Sequence, residues 1–261
     1  VVTNTSVGFI HSARNIGAIS VKSLTMTTPA AQGITTLSAN NGNIGAITSS
    51  STAVPVTPFV IGNGITLVGG RIFAGGSGSV GAITVGGTGS LYMGASTTGV
   101  VNATGSGITA GSIGTISVTS GNLTTGTTAP ISATNGGIGG ILLSAGTLTV
   151  NSNITATGGN VGDITLSASL ASSIATAQIK SVVANSVGGA VGNLTVTGGS
   201  LTFGAGGGID AATTVGNITT SALTLGTATS TIVAGTTIGN IAVNGDLTFT
   251  GVGATVKAGT G

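Results

Sequence analysis

The sequence predicts an all-β fold: a single-stranded parallel β-solenoid of roughly triangular section, with about nine coils of three short strands each. First, the motif [Ile/Val]-Gly-x-[Ile/Leu] occurs nine times, beginning at residues 16, 44, 80, 113, 138, 161, 191, 215 and 238. Second, these copies are 23 to 36 residues apart, a period typical of stacked structural repeats. Third, the segments between them alternate apolar and small polar residues, the pattern of half-buried strands.

Each period contains three strand-like pieces in a fixed order. The first follows the motif directly, as in Ile164-Thr165-Leu166. The second reads Leu-Thr-apolar, as in Leu148-Thr149-Val150. The third places an aliphatic residue two positions before an alanine, as in Ile154-Thr155-Ala156 and Val101-Asn102-Ala103. Gly-rich corners such as Gly198-Gly199 separate the pieces, and so much glycine among β-branched residues argues against helices.

Stacking of the coils predicts continuous rows of side chains. Inward aliphatic residues form buried ladders that no single coil could bury alone. On the first face the outward row is Ser20, Thr48, Thr84, Ser117, Thr165, Thr195 and Thr219, with breaks at Leu142 and Ala242. On the second face it is Thr25, Thr124, Thr149, Thr202, Thr224 and Thr248. The motif glycine either adopts a positive φ at a corner or lets a neighbouring coil approach closely.

Residues 1–261 are predicted to form one solenoid domain with two irregular regions. Residues 49–72 carry Pro55, Pro58 and Phe59, which predict a loop or an extra turn leaving the rod. Residues 168–188 are rich in alanine, and here we favour an irregular coil of strand and loop over a short helical excursion.

Charge is scarce in this chain. The 261 residues include three aspartates, no glutamate, five lysines and arginines, and no cysteine. Scattered cations form no basic patch, so we expect no nucleic-acid partner. No apolar run reaches 18 residues, so we expect no membrane insertion. Near-absent like-charge repulsion favours self-association.

The titratable residues predict no catalytic, cofactor-binding or metal site. Glycoside-cleaving chemistry needs paired carboxylates. Asp163 lies in a motif copy, Asp210 on a third strand and Asp246 before a second strand, which places them at three different parts of the coil. His11 has no second metal-ligating residue nearby in the sequence. We therefore expect a protein that is not an enzyme and has no cofactor.

The Gly-, Thr- and Asn-rich, cysteine-free coils resemble secreted β-solenoid surface proteins of bacteria and archaea, in particular the passenger regions of autotransporters. The resemblance spans the whole chain and depends on composition and on the nine-copy motif. It implies display at a cell surface and adhesion to hosts, neighbouring cells or matrix. The opening Val1-Val2-Thr3 suits a mature secreted product or a fragment of one, so an extracellular or cell-surface location is expected.

Our leading functional hypothesis is a structural subunit that polymerises head to tail with itself into a filament, fibre or coat. Residues 1–10 are apolar and β-like, and residues 251–261 are rich in glycine, so neither offers a polar cap. Two alternatives stay open. One is an adhesin that binds cell-surface or matrix components, and the other is an ice-binding protein that uses a flat threonine array, although unequal coil lengths should disturb such an array.

Overall fold

The structure is a computed structural model that describes residues 5–6, 9–27, 35–50, 64–68, 70–94, 107–172, 178–182, 184, 188–226 and 229–259. These residues form β-strands, turns and loops, without a helix. The β-solenoid predicted from the sequence is confirmed, because every pairing between strands is parallel and joins one coil to the next. Each coil starts at one motif copy and contributes one strand to each of three faces.

The nine motif copies form one ladder along the rod. Their first residues pair in sequence through bridges and short strands, from Ile16 to Ile238. The short strands in this ladder are Ser79–Val80, Ser112–Ile113, Thr214–Val215 and Thr237–Ile238. The repeat read from the sequence is therefore the structural repeat.

Face 1 follows the motif in every coil. Its strands are Ile19–Val21, Ile47–Ser49, Ile83–Val85, Ile116–Val118, Ile141–Leu143, Ile164–Leu166, the first residues of Leu194–Phe203 and of Ile218–Leu225, and Ile241–Val243. Two of these strands continue onto face 2. The Gly198-Gly199 corner predicted from the sequence lies inside one of them, where the pairing register shifts.

Face 2 is the second strand of each coil. Its strands are Thr5–Ser6, Leu24–Thr27, Gly64–Val68, Ser90–Gly94, Leu123–Thr125, Leu148–Val150, Leu170–Ser172, the last residues of Leu194–Phe203 and of Ile218–Leu225, and Leu247–Phe249. Thr5–Ser6 precedes the first motif copy and pairs with Leu24–Thr27. Faces 1 and 2 belong to one 17-stranded sheet.

Face 3 is a separate sheet of ten strands. Its strands are Phe9–Ser12, Thr35–Ala39, Gly70–Ala74, Gly107–Ala110, Ile131–Ala133, Ile154–Thr157, Gln178–Val182, Gly208–Ala211, Thr231–Ala234 and Thr255–Ala258. In the third coil the sequence predicted Val101-Asn102-Ala103 as the face-3 strand. The structure instead places Gly107–Ala110 on this face, because Ile108 pairs with Ile72 of the preceding coil and with Ile131 of the following coil. Val101-Asn102-Ala103 itself lies outside the described residues.

The core is a set of aliphatic ladders on the inner sides of the faces. The face-1 ladder runs Ile47, Ile83, Ile116, Ile141, Ile164, Leu194 and Ile218 in register, all buried. Burying an aliphatic side chain of this size contributes about 1.5–3 kcal/mol, so these rows are the main favourable term in folding. The buried hydroxyls are satisfied: Thr125 Oγ1 accepts from Asn151 N–H, and Ser181 Oγ donates to the Gly159 carbonyl at 2.7 Å.

Unequal coil length does not disturb the pairing register. The longest period, 36 residues between Ile44 and Val80, places its extra residues between the strands Ile47–Ser49 and Gly64–Val68. Pro55, Pro58 and Phe59 of the predicted loop lie outside the described residues. The end of the predicted irregular range 49–72 is regular, because Gly64–Val68 and Gly70–Ala74 are strands in register with the neighbouring coils. In the second irregular region, 170–172 and 178–182 are strands in register with their neighbours.

Candidate functional site

The three aspartates lie at different positions of the coil, as their places in the sequence indicated. Asp163 is in the sixth motif copy, where its Oδ1 accepts a hydrogen bond from the Asn193 N–H at 2.7 Å. Asp210 is on face 3 and pairs with Lys180 of the preceding coil at 3.6 Å. Asp246 is exposed in the corner before the face-2 strand of coil 9. The fold therefore brings no two of these carboxylates together.

His11 lies on the outer side of the first face-3 strand. Its Nε2 is 3.5 Å from the side-chain nitrogen of Asn40. Within the described ranges, no group of three or more His, Cys, Asp or Glu side chains is close enough to hold a metal ion. The absence of a catalytic, cofactor or metal site stays a prediction.

One aromatic contact was not singled out from the sequence. The Arg71 guanidinium lies 4.0 Å from the centre of the Phe73 ring, on the outer side of the Gly70–Ala74 strand. Burial lowers the pKa of Arg71. The contact covers part of the guanidinium with an aromatic face, which is a stabilising arrangement for a cation with reduced access to water.

The outward rows are in register along faces 1 and 2. On face 1, Thr165, Thr195 and Thr219 pair in successive coils, and the predicted breaks at Leu142 and Ala242 are in the same row. On face 2, Thr202, Thr224 and Thr248 pair in the same way. The outer surface of these faces is thus mainly uncharged hydroxyl groups spaced at the strand separation of about 4.8 Å.

A second set of ladders occupies the corners. A polar side chain just before a strand accepts a hydrogen bond from the backbone N–H of the same position in the following coil. The longest of these corner ladders joins Asp163, Asn193, Asn217 and Asn240, with N···O distances of 2.7 to 2.9 Å. Others join Asn15, Asn43 and Ser79; Ser90, Asn122 and Thr147; Asn153 and Gln178; Asn160 and Ala190; and Ser169 and Ser200.

The inward residues of coil 9 are more exposed than their register partners in the preceding coil. Leu247 and Phe249 are 53% and 50% exposed, yet their register partners one coil earlier, Leu223 and Leu225, are completely buried. Val252 is almost fully exposed. The face formed by Ile241, Leu247, Phe249, Val252 and Val256 is called the terminal face below. It is a cross-section through the core, bordered by the strand edges of coil 9.

Comparison of the chain with protein-family models, curated proteins and solved structures finds no match. Within the described residues there is no helix that is both long enough and apolar enough to cross a membrane. The most distinctive feature of the described structure is the terminal face.

Proposed function

We propose that this chain is an extracellular structural protein whose solenoid stacks end to end into a cell-surface filament, fibre or coat. The observation that carries the proposal is the terminal face, where residues in register with a fully buried core are 36 to 53% exposed. A surface of this kind is complementary to another coil of the same construction. The partner is a second copy of the chain.

Two contributions stabilise such a contact. Complete burial of a large aliphatic side chain contributes about 1.5–3 kcal/mol, so covering a half-exposed one contributes about half as much. Association itself costs an estimated 4–15 kcal/mol, which is comparable with or larger than the sum of these apolar contributions. Among the described residues the coil 9 strands pair on one edge only. The other edge supplies the remainder, because an unpaired strand edge is a template for a new strand. Stacking should therefore depend strongly on protein concentration.

The low charge of the chain supports the same proposal. Eight Asp, Lys and Arg side chains in 261 residues give a net charge of +2. Net charge keeps proteins apart in solution, and a chain with so little of it resists association weakly. An extracellular location is part of the proposal.

Adhesion is the second candidate function. The observation that favours it is the pair of in-register hydroxyl rows on faces 1 and 2, which offer a long uncharged surface for hydrogen bonding. In that case the rod remains monomeric and binds through its sides. The same rows are the basis of the ice-binding alternative, which a thermal-hysteresis assay tests and for which the row breaks at Leu142 and Ala242 are unfavourable.

The test uses two variants of one strand. Leu247→Glu puts a charge on the terminal face, whereas Thr248→Glu puts the same charge on the outer side of the same strand. We expect filaments from the unaltered chain and from Thr248→Glu by negative-stain electron microscopy, and monomers from Leu247→Glu. Light scattering across a concentration series gives the same comparison in solution.

Circular dichroism checks that both variants keep the β-fold. A monodisperse monomer of the unaltered chain at high concentration contradicts the filament proposal and favours adhesion. Equal filament yields from the two variants exclude the terminal face as the stacking surface.

A further inference from the structure

We infer that the contact between copies is head to tail and in register: the coil 9 strands of one copy pair with the first strands of the next on faces 2 and 3. Leu247–Phe249 would lie against Thr5–Ser6, and Thr255–Ala258 against Phe9–Ser12. This inference rests on the proposed end-to-end stacking and adds its direction, its register and the two surfaces that meet.

The face-3 ladder provides the first argument. It runs from Ile10 through Leu37, Ile72, Ile108, Ile131, Ile154, Ile179, Ile209 and Ile232 to Val256. The inner members are at most 1% exposed, whereas Ile10 is 36% and Val256 39% exposed. Placing Val256 of one copy under Ile10 of the next covers both ends of this ladder at once.

The corner ladders give the rod a chemical direction. In all ten of these hydrogen bonds among the described residues, the N–H belongs to the later coil and the accepting side chain to the earlier one. The C-terminal end therefore presents acceptors.

Coil 9 carries two such acceptors. Asn240 is the last member of the longest corner ladder, and its side-chain oxygen has no partner in the described part of the chain. Asp246 directly precedes the face-2 strand of coil 9, the position that Asn122, Thr147 and Ser169 occupy in earlier coils, and it is exposed. A carboxylate only accepts hydrogen bonds, so it suits the N–H at the same position of a following coil.

The acceptors of coil 9 disfavour tail-to-tail pairing of two copies. Such pairing would place the acceptor side chains of one copy against those of the other and bring two Asp246 carboxylates together. It would also require antiparallel strands at the junction, whereas all pairings within the rod are parallel. Head-to-tail contact continues the parallel pairing of faces 2 and 3 and the inward face-3 ladder. Because it does not close on itself, it produces an open filament.

Cross-linking tests the register. His11 and Lys257 are the outward residues of the first and last face-3 strands, and they occupy the same row. In the inferred junction they are in-register neighbours about 4.8 Å apart, a separation that a disulfide can bridge. The chain has no cysteine, so His11→Cys with Lys257→Cys introduces the only two thiols.

We expect mild oxidation of the double variant to convert monomer into a ladder of dimers, trimers and longer species on denaturing gels, and reduction to reverse it. Each single variant can form dimers at most. His11→Cys with Thr248→Cys is the matched control. Because Thr248 is on face 2, this variant should give no series of disulfide-linked species beyond dimers.

The remaining outcomes overturn the inference in distinguishable ways. Abundant dimers from Lys257→Cys alone indicate tail-to-tail pairing. Filaments in the microscope without a disulfide ladder contradict the register but leave the proposed stacking intact. Monomers throughout, with neither filaments nor ladder, overturn the inference together with the proposed function.

Discussion

Replacing Ile141 with aspartate is expected to destabilise the middle of the solenoid severely, whereas Leu142→Asp, one residue later, should have almost no effect. Ile141 is 1% exposed in the face-1 ladder and Leu142 is 41% exposed on the outer side of the same strand. An unpaired carboxylate in the core must be buried without a partner or protonated, and both cost free energy. We expect a loss of about 4 kcal/mol or more for Ile141→Asp, against about 0.5 kcal/mol or less for Leu142→Asp.

The measurement is urea unfolding followed by circular dichroism, with hydrogen exchange to locate the damage. Each coil of a solenoid contacts only its neighbours, so the lost protection should spread outward from coil 5. Leu142→Asp controls for the added charge and for its position in the sequence. Similar unfolding midpoints for the two variants would be incompatible with the inward and outward assignment of this strand.

The sequence was sufficient to predict which side of most strands faces the core and which residues align along the rod. An apolar residue at every second position fixes which side of a strand faces the core, and a slip of one residue would reverse it. Thr165, Thr195 and Thr219 could be aligned for this reason, although the structure was needed to establish that they pair. Unequal coil length was expected to disturb the rows but does not, because the extra residues lie between strands.

One strand could not be located from the sequence. Val101-Asn102-Ala103 and Ile108-Thr109-Ala110 fit the same apolar-polar-alanine pattern. Only contact with Ile72 and Ile131 in the neighbouring coils distinguishes them. A three-residue pattern carries too little information where a long segment offers it twice.

The corner ladders were also missed. Their signal is present as asparagine, aspartate or serine at corresponding corners, for example Asn193, Asn217 and Asn240 at the third motif position. Because the chain is rich in asparagine and serine, their recurrence at corresponding corners is weak evidence for a hydrogen-bonded ladder. The direction of each hydrogen bond depends on a side chain and a backbone N–H that are separated by 23 to 36 residues along the chain, which no local pattern describes.

The motif glycine is explained by the stacking of coils. None of the nine motif glycines has a positive φ, so the corner-conformation alternative is wrong. A Cβ on the motif glycine of coils 2 to 9 would instead lie within 2.5 to 2.8 Å of an atom of the preceding coil. A Cβ on Gly17, in the first copy, would have no atom of the described structure within 4 Å. Glycine is required where one coil rests on another.

Gly139→Ala and Gly17→Ala therefore change the same motif position with opposite expected results. At Gly139 a Cβ would be 2.7 Å from the backbone nitrogen of Thr115, which cannot move aside as a flexible side chain could. Overpacking of this kind costs about 1–3 kcal/mol, and contact with backbone places Gly139→Ala at the upper end. Gly17→Ala meets no obstacle and restricts the unfolded chain, so it should be neutral or stabilising by up to about 1 kcal/mol.

Urea midpoints of both variants, measured in dilute monomeric samples, test the difference. A loss of stability at Gly17 as large as that at Gly139 would mean that the motif glycine serves its own coil and not the contact between coils.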